Sequence, residues 1–290
     1  MARLNSVTLY GCVADPPRIT KKQDGDAQTF VRGIFHLAVI RGSRYSGETF
    51  GEKDRILYDW PIILSTDPEI ISKMNKLRQY DIVQISGVFV TRKIKKITYC
   101  KTCGEKNEVE GNITFVLPIF MERRNTEKEP YTENQAIQEI IKNRPISNVI
   151  HILGNLCNDV TYFRQDKIET CTYQIATDRR YFIKDDALEI KTDFPIVRSY
   201  GKAARQDQLC IHKGSLVLLV LIDGFLHSRE FDRKTVCGAC SSEYMWKDNI
   251  LEIVPYATEY LANYTDPETA EAEREKQIAE EGLRLAQTLF

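Results

Sequence analysis

GVFVTRKIKKITYCKTCGEKNEVEGNITFVLP (87–118) and GFLHSREFDRKTVCGACSSEYMWKDNILEIVP (224–255) are one pattern written twice. At an offset of 137 residues, Thr91-Arg92 meets Ser228-Arg229 and Thr98 meets Thr235. Both C-x-x-C pairs coincide, Cys100 with Cys237 and Cys103 with Cys240. Asn112-Ile113 then meets Asn249-Ile250, and Val116-Leu117-Pro118 meets Ile253-Val254-Pro255, with no gap. Upstream the offset drifts, as loop insertions make it. NSVTLYG (5–11) answers NVIHILG (148–154) at 143, and Leu37-Ala38 answers Ile175-Ala176 at 138. Asp59-Trp60-Pro61-Ile62 answers Asp193-Phe194-Pro195-Ile196 at 134. The matches keep their order through both halves, which is the mark of a tandem duplication.

Each copy reads as β. Apolar-rich runs at 6–10 and 149–153 end at a glycine that suggests a bulge or bend. Second strands are predicted at 30–40 and 170–176, third strands at 60–64 and 194–197. Fourth strands follow at 82–97 and 216–231, and fifth strands at 113–121 and 250–256, with a C-x-x-C pair in each intervening hairpin. Copy one offers a helix at 67–77, with Asp67 before Pro68 as its cap. Copy two has a polar, Gly-broken segment at 201–213 instead. Five strands with a helix between the third and fourth is the order of an OB-fold, a small barrel that commonly binds oligonucleotides. The predicted class is therefore all-β: tandem OB-folds at 1–122 and 147–262. A charged linker at 123–146 with a solvated helix at 132–142 joins them, and an acidic C-terminal helix is expected in 263–290.

The formal charge of −1, from 40 Lys+Arg and 41 Asp+Glu, argues against a nucleic-acid partner only until it is divided. Residues 1–122 carry 18 basic and 14 acidic side chains, 146–262 carry 14 and 16, and 263–290 carry 3 and 7. A ligand feels the local field within a Debye length of about 10 Å, not the sum. No apolar run is long enough for a membrane helix, and no signal-peptide core stands at the N-terminus, so no membrane partner and a cytoplasmic location are expected.

The residues that follow one another in each copy resemble the bacterial-type single-stranded DNA-binding protein family. NSVTLYGCVADP and NVIHILGNLCND stand for its first strand and turn, and FHLAVIR and YQIATDRRY for its second. DWPIIL and DFPIVRSYGKAA stand for the third; GVFVTRKI and KGSLVLLVLIDGFLHSREF for the fourth. The second copy is the closer match. The resemblance implies binding of single strands without base readout, in DNA replication, repair or transfer: rings stack on bases while Lys and Arg follow phosphates. It places stacking aromatics in copy two at Tyr181, Phe194, Tyr200 and Phe231, with Arg179, Arg180, Arg229, Arg233 and Lys234 beside them. Copy one keeps Trp60 and offers Tyr45 with Arg41 and Arg44. It has Thr66 and Ile94 where aromatics would stand, and compensates with the basic run RKIKKITYCK (92–101), notably Arg92, Lys93, Lys95 and Lys96. Copy one is thus expected to supply more electrostatic grip and copy two more stacking. Two barrels in one chain imitate the family's dimer, so two chains would give four barrels. The acidic C-terminal helix is expected to serve oligomerisation or to pack on a replication or DNA-transfer protein.

Neither fold nor family requires the C-x-x-C pairs. Each is half of a zinc-ribbon site, whose tight turn aims two thiolates at one ion. Three readings stand: a four-thiolate zinc site of Cys100, Cys103, Cys237 and Cys240 shared between the hairpins, a site completed by another chain, or no metal. A thioredoxin-like use fits poorly, because that motif opens a helix. Cys157, Cys171 and Cys210 lie in or beside apolar stretches and read as buried thiols. No nucleotide-binding loop, metalloprotease or serine-hydrolase motif is present, so neither an enzyme nor an organic cofactor is expected. The rival function is an OB-fold/zinc scaffold for another replication or transfer protein, with weak or no DNA binding.

Overall fold

The alternation of apolar and polar residues along the chain becomes a set of strands, of which the longest four run to 18 to 20 residues. The computed structural model describes residues 4–24, 27–42, 56–125, 129, 131–158, 160–165, 168–179, 192–211, 219–262, 272, 275–276 and 278–280. The first half contains β1 (Asn5–Val13), β2 (Arg18–Asp24), β3 (Ala27–Ile40), β4 (Tyr58–Asp59), β5 (Ile62–Ser65), α1 (Pro68–Met74), β6 (Ile82–Tyr99) and β7 (Lys106–Arg123). The helices α2 (Glu133–Lys142) and α3 (Arg144–Ser147) follow. The second half contains β8 (Asn148–Leu156), β9 (Thr161–Gln165), β10 (Ile168–Asp178), β11 (Thr192–Asp193), β12 (Ile196–Tyr200), α4 (Lys202–Cys210), β13 (Leu219–Val236) and β14 (Glu243–Ala262).

In each half five strands close a ring. β1 pairs with β3, β3 with β5, β5 in parallel with β7, β7 with β6, and β6 again with β1. β8, β10, β12, β14 and β13 close the second ring with the same sense of pairing. This is the OB-fold barrel expected from the strand order. Inward-facing Val7, Leu9, Phe35, Leu37, Val83, Ile85 and Phe89 fill the first barrel, and Ile150, Ile152, Tyr173, Ile175, Leu226 and Ile253 the second. The glycines read as bend signals sit where a backbone crosses another strand. A Cβ on Gly11 would lie 2.3 Å from the Ala38 carbonyl oxygen, and one on Gly154 2.7 Å from that of Ala176.

The two barrels are joined along β1 and β8, which pair antiparallel from Asn5↔Ile152 to Leu9↔Asn148. Val7 lies opposite Ile150, its own counterpart in the repeat. An element facing its own copy is the sign of a local two-fold axis. The axis recurs where the Leu251 N–H donates to Thr114 Oγ1 at 2.9 Å, these two residues again being counterparts.

Four expectations need correction. The segment after Gly201 is a helix, α4, because Gly201 (φ 57°) serves only as its N-terminal boundary. Beyond it Ala204, Asp207 and Cys210 recur at three-residue spacing and face inward. Hairpins β2–β3 and β9–β10 were not foreseen; their polar outer strands lack the apolar alternation that marks a strand. The fourth strand of copy one ends within two residues of its predicted end, but that of copy two and both fifth strands extend further, since backbone pairing continues out to Tyr99↔Lys106 and Val236↔Glu243. The helix at 133–142 is not solvated all round. It carries a capping box of Thr132 and Gln135 and buries Ala136 and Ile140 against Tyr10, Cys12, Ile40 and Ile82. Of the C-terminal helix, residues 272, 275–276 and 278–280 are described and helical, with Ile278 exposed. Cys171 and Cys210 are buried and Cys157 is partly so. No helix among the described residues is long and apolar enough to cross a membrane.

Candidate nucleic-acid interface and thiolate cluster

Trp60 and Phe194 occupy the same place in the two barrels, at the break between β4 and β5 and between β11 and β12. Both precede a proline, which removes a ladder donor and opens the strand there. Trp60 is 50% exposed and Phe194 47%, so neither is spent on filling the core. Tyr200 and Phe231 are half-buried. Burial raises the Tyr200 hydroxyl above its ordinary range, with the guanidinium of Arg198 drawing it back. The Arg229 guanidinium stands 5.0 Å over the Phe231 ring, and that of Arg92 5.8 Å over Phe115. Ile94, at the position of Phe231, is exposed. Arg44, Tyr45, Arg180 and Tyr181 lie outside the described residues.

The basic residues fall into two groups. Arg179 is 2% exposed and its Nε lies 2.5 Å from Asp193 Oδ2, so the expectation that it meets phosphate is corrected: its charge is spent inside the barrel. Burial pushes the Asp193 carboxyl up to about 6, while the Thr91 N–H and Arg179 pull the other way. Arg41 is the counterpart of Arg179 and grips the buried Asp59 through Nε and Nη2, each at 3.1 Å. Arg229 holds the fully buried Glu252 at 2.7 Å, and Lys96 pairs with Asp248 across the two copies, with Arg233 on the same carboxylate at 3.4 Å. The remaining charges are superficial. Lys95 meets Glu108 at 3.4 Å and Lys234 meets Glu243 at 2.5 Å, all well exposed, and Lys93 faces solvent. Exposed pairs of this kind contribute little and give way readily to a phosphate. The buried carboxylates Asp59, Asp193, Asp248 and Glu252, which hold these cations, were not singled out from sequence. For Asp59 and Asp193 a signal existed, since each stands before a ring and a proline.

Removing one partner of a buried pair leaves an uncompensated charge. Arg179→Ala is expected to lower stability by about 3–5 kcal/mol, measured by urea unfolding. A loss below about 1 kcal/mol would mean that the pair has no structural role.

The tips of the two long hairpins meet on the local two-fold axis. Cys100 Sγ lies 3.7 Å from Cys240 Sγ, and Cys103 Sγ 3.6 Å from Cys237 Sγ. All four sulfurs fall within 4.8 Å of one another, two from each copy. A tetrahedral ion with metal–sulfur bonds of about 2.3 Å separates its ligands by about 3.8 Å. Each tip turns back through a positive-φ residue, Gly104 (75°) in one and Ser241 (57°) in the other. The turns are closed by Gly104 N–H to the Cys100 carbonyl at 2.9 Å and Ser241 N–H to the Cys237 carbonyl at 3.0 Å. Backbone N–H groups of Cys240 and Ala239 aim at Cys237 and lower its thiol to about 6. At Cys103 the Glu105 N–H favours the thiolate, yet hydrogen bonding to Cys240 and the other sulfurs raises it to about 12. Four crowded sulfurs cannot all ionise without a cation between them. Tyr244 and Trp246 shelter the cluster, with the Tyr244 hydroxyl 2.5 Å from Thr98 Oγ1 across the copies. Asn107 of copy one donates to Cys237 Sγ at 3.5 Å and accepts from Gly238 N–H at 2.9 Å. The arrangement fits a closed four-thiolate metal site contributed equally by both halves.

Comparison with known proteins agrees with this architecture. Residues 147–244 match the model of the single-strand binding protein family. A single-stranded DNA-binding protein of Staphylococcus epidermidis is 31% identical over 87 residues, which is 30% of this chain and 63% of that protein. The chain thus spans less than two thirds of that relative. The crystal structure of the wild-type single-stranded DNA binding protein of Thermus aquaticus aligns with a TM-score of 0.54 at 14% identity, covering 90% of this chain and 95% of the other. A deletion mutant of the same protein aligns at 0.53 and 15% identity, covering 92% and 100%. At that identity the likeness shows the fold, over nearly the whole length of both chains. The family match thus falls on the second copy, residues 147–244, and the likeness in fold extends over both copies.

Proposed function

We propose that this chain binds single-stranded DNA without reading its bases, serving replication, repair or transfer by binding rather than by catalysis. The observation that carries the reading is the pair of half-exposed rings, Trp60 and Phe194, presented at equivalent positions of two joined barrels. Every base has a π face, so stacking worth about 1–3 kcal/mol per base is indifferent to sequence. Phosphates are met by cations at the surface: Lys93 and Lys95 in copy one, and Lys234 in copy two. Tyr200 and Phe231 extend the stacking surface of copy two, and Arg233, which is partly exposed, extends its charge. Titration of the full chain with oligo-dT at rising salt, followed by Trp60 quenching in a Trp246→Phe background, tests this. Binding that weakens steadily with salt is expected. Failure to bind even at low salt would remove the reading and leave a protein-binding scaffold in its place.

The four thiols are assigned to zinc, which is redox-inert and accepts a closed tetrahedral thiolate set. Zinc here would hold the two hairpins together and supply no chemistry to a substrate. Elemental analysis of the purified chain is expected to give about one zinc per chain. Less than about a tenth of an equivalent would remove the assignment.

A further inference from the structure

Each presented ring is held by the opposite copy. The Trp60 N–H donates to Ser228 Oγ at 3.1 Å, and the Ser228 N–H donates back to Asp59 Oδ1 at 2.9 Å. In the other direction the Phe194 N–H donates to Thr91 Oγ1 at 2.8 Å, and the Thr91 N–H donates to Asp193 Oδ1 at 2.8 Å. The two arrangements are the same clamp related by the local two-fold axis. An Asp-aromatic dipeptide from one barrel closes on a hydroxyl residue in the long hairpin of the other. The carboxylates are themselves fixed, Asp59 by Arg41 and His227 and Asp193 by Arg179. The backbone carrying each ring therefore cannot shift without breaking a bond to the opposite copy.

We propose that Thr91 and Ser228 are positioning residues for the strand path, each setting the stacking ring of the opposite barrel. The inference rests on the DNA-binding reading above. It adds that the two base platforms are one cross-braced unit, so that a base stacked on Phe194 is served by a residue of copy one. Neither Thr91 nor Ser228 need touch DNA for this. A ring whose backbone is loosely held must be ordered when a base arrives, and that ordering weakens binding.

Thr91→Val keeps shape and strand preference but removes the acceptor for Phe194. Its expected effect on oligo-dT affinity is a loss of about fivefold, the range of one hydrogen bond. The same change in a Phe194→Ala background is expected to have no further effect, because the ring it positions is gone. Ser228→Ala should behave likewise toward Trp60→Ala, and Thr91→Ser and Ser228→Thr should restore binding. A Thr91→Val loss that persists undiminished without Phe194, or that Thr91→Ser fails to restore, overturns the proposal, as does unchanged affinity. Should the wild-type chain itself not bind oligo-dT, the DNA reading falls first. The clamp is then judged by acrylamide quenching of Trp60 in the Trp246→Phe background. Quenching unaltered by Ser228→Ala overturns it too, and altered quenching upholds the clamp without the DNA.

Discussion

Trp60→Ala combined with Phe194→Ala is expected to reduce affinity for oligo-dT by roughly 100-fold or more, from two stacking contacts of about 1–3 kcal/mol each. The double variant should fold normally. Both rings are about half exposed, and the backbone N–H of each residue keeps its partner across the copies whatever side chain it carries. The slope of log affinity against log salt should stay as in the wild type, because that slope counts neutralised phosphates and the surface lysines remain. Lys93→Ala with Lys95→Ala should do the reverse: a flatter slope, with a loss that is large at low salt and small at high salt. Fluorescence anisotropy of labelled oligo-dT at four salt concentrations separates the two. A ring-deleted chain that binds within about threefold of wild type would sink the stacking reading.

The second large effect concerns the thiolate cluster. Cys103→Ser with Cys240→Ser removes one ligand from each hairpin and spares the two buried sulfurs, Cys100 and Cys237. Bound zinc should fall from one equivalent to near none. With zinc at about 1,000 times its dissociation constant, the native state gains about 4 kcal/mol. At 2–4 °C per kcal/mol for a chain of this size, the melting temperature should drop by roughly 10 °C. A chelator should produce the same drop in the wild type and none in the variant. Cys157→Ser, outside the cluster, is the control and should leave zinc content unchanged. Equal melting temperatures for wild type and variant, with zinc and with chelator, would show that the hairpins need no metal.

The fold was largely legible because strand pairing leaves an alternation of apolar residues in each strand, and here the alternation occurs twice in the same order. The solvent-edge strands β2 and β9 escaped, since a strand with little to bury has little pattern to show. So did α4, where a glycine before the first turn looked like an interruption and was a boundary. The rings Trp60 and Phe194 were visible as stacking candidates. The fate of the arginines was not. Arg179 stands two residues before Tyr181, as a phosphate-binding residue would, yet it is buried against Asp193, while Arg229 pairs with Glu252 and remains a third exposed. Composition counts charges without saying which are already neutralised by a buried partner.

From the sequence alone it follows that one β domain is written twice and that each copy carries a ring after an Asp and half of a thiolate site. Which half meets which required the tertiary structure. β1 and β8 pair about a local two-fold axis, and a two-fold axis brings every element near it face to face with its own copy. Cys100 is thereby placed by Cys240 and Cys103 by Cys237, and each Asp-aromatic pair reaches the other barrel's hairpin. A duplication in sequence repeats the parts. The axis between the copies, set by the pairing of two central strands, is what turns two halves into one site.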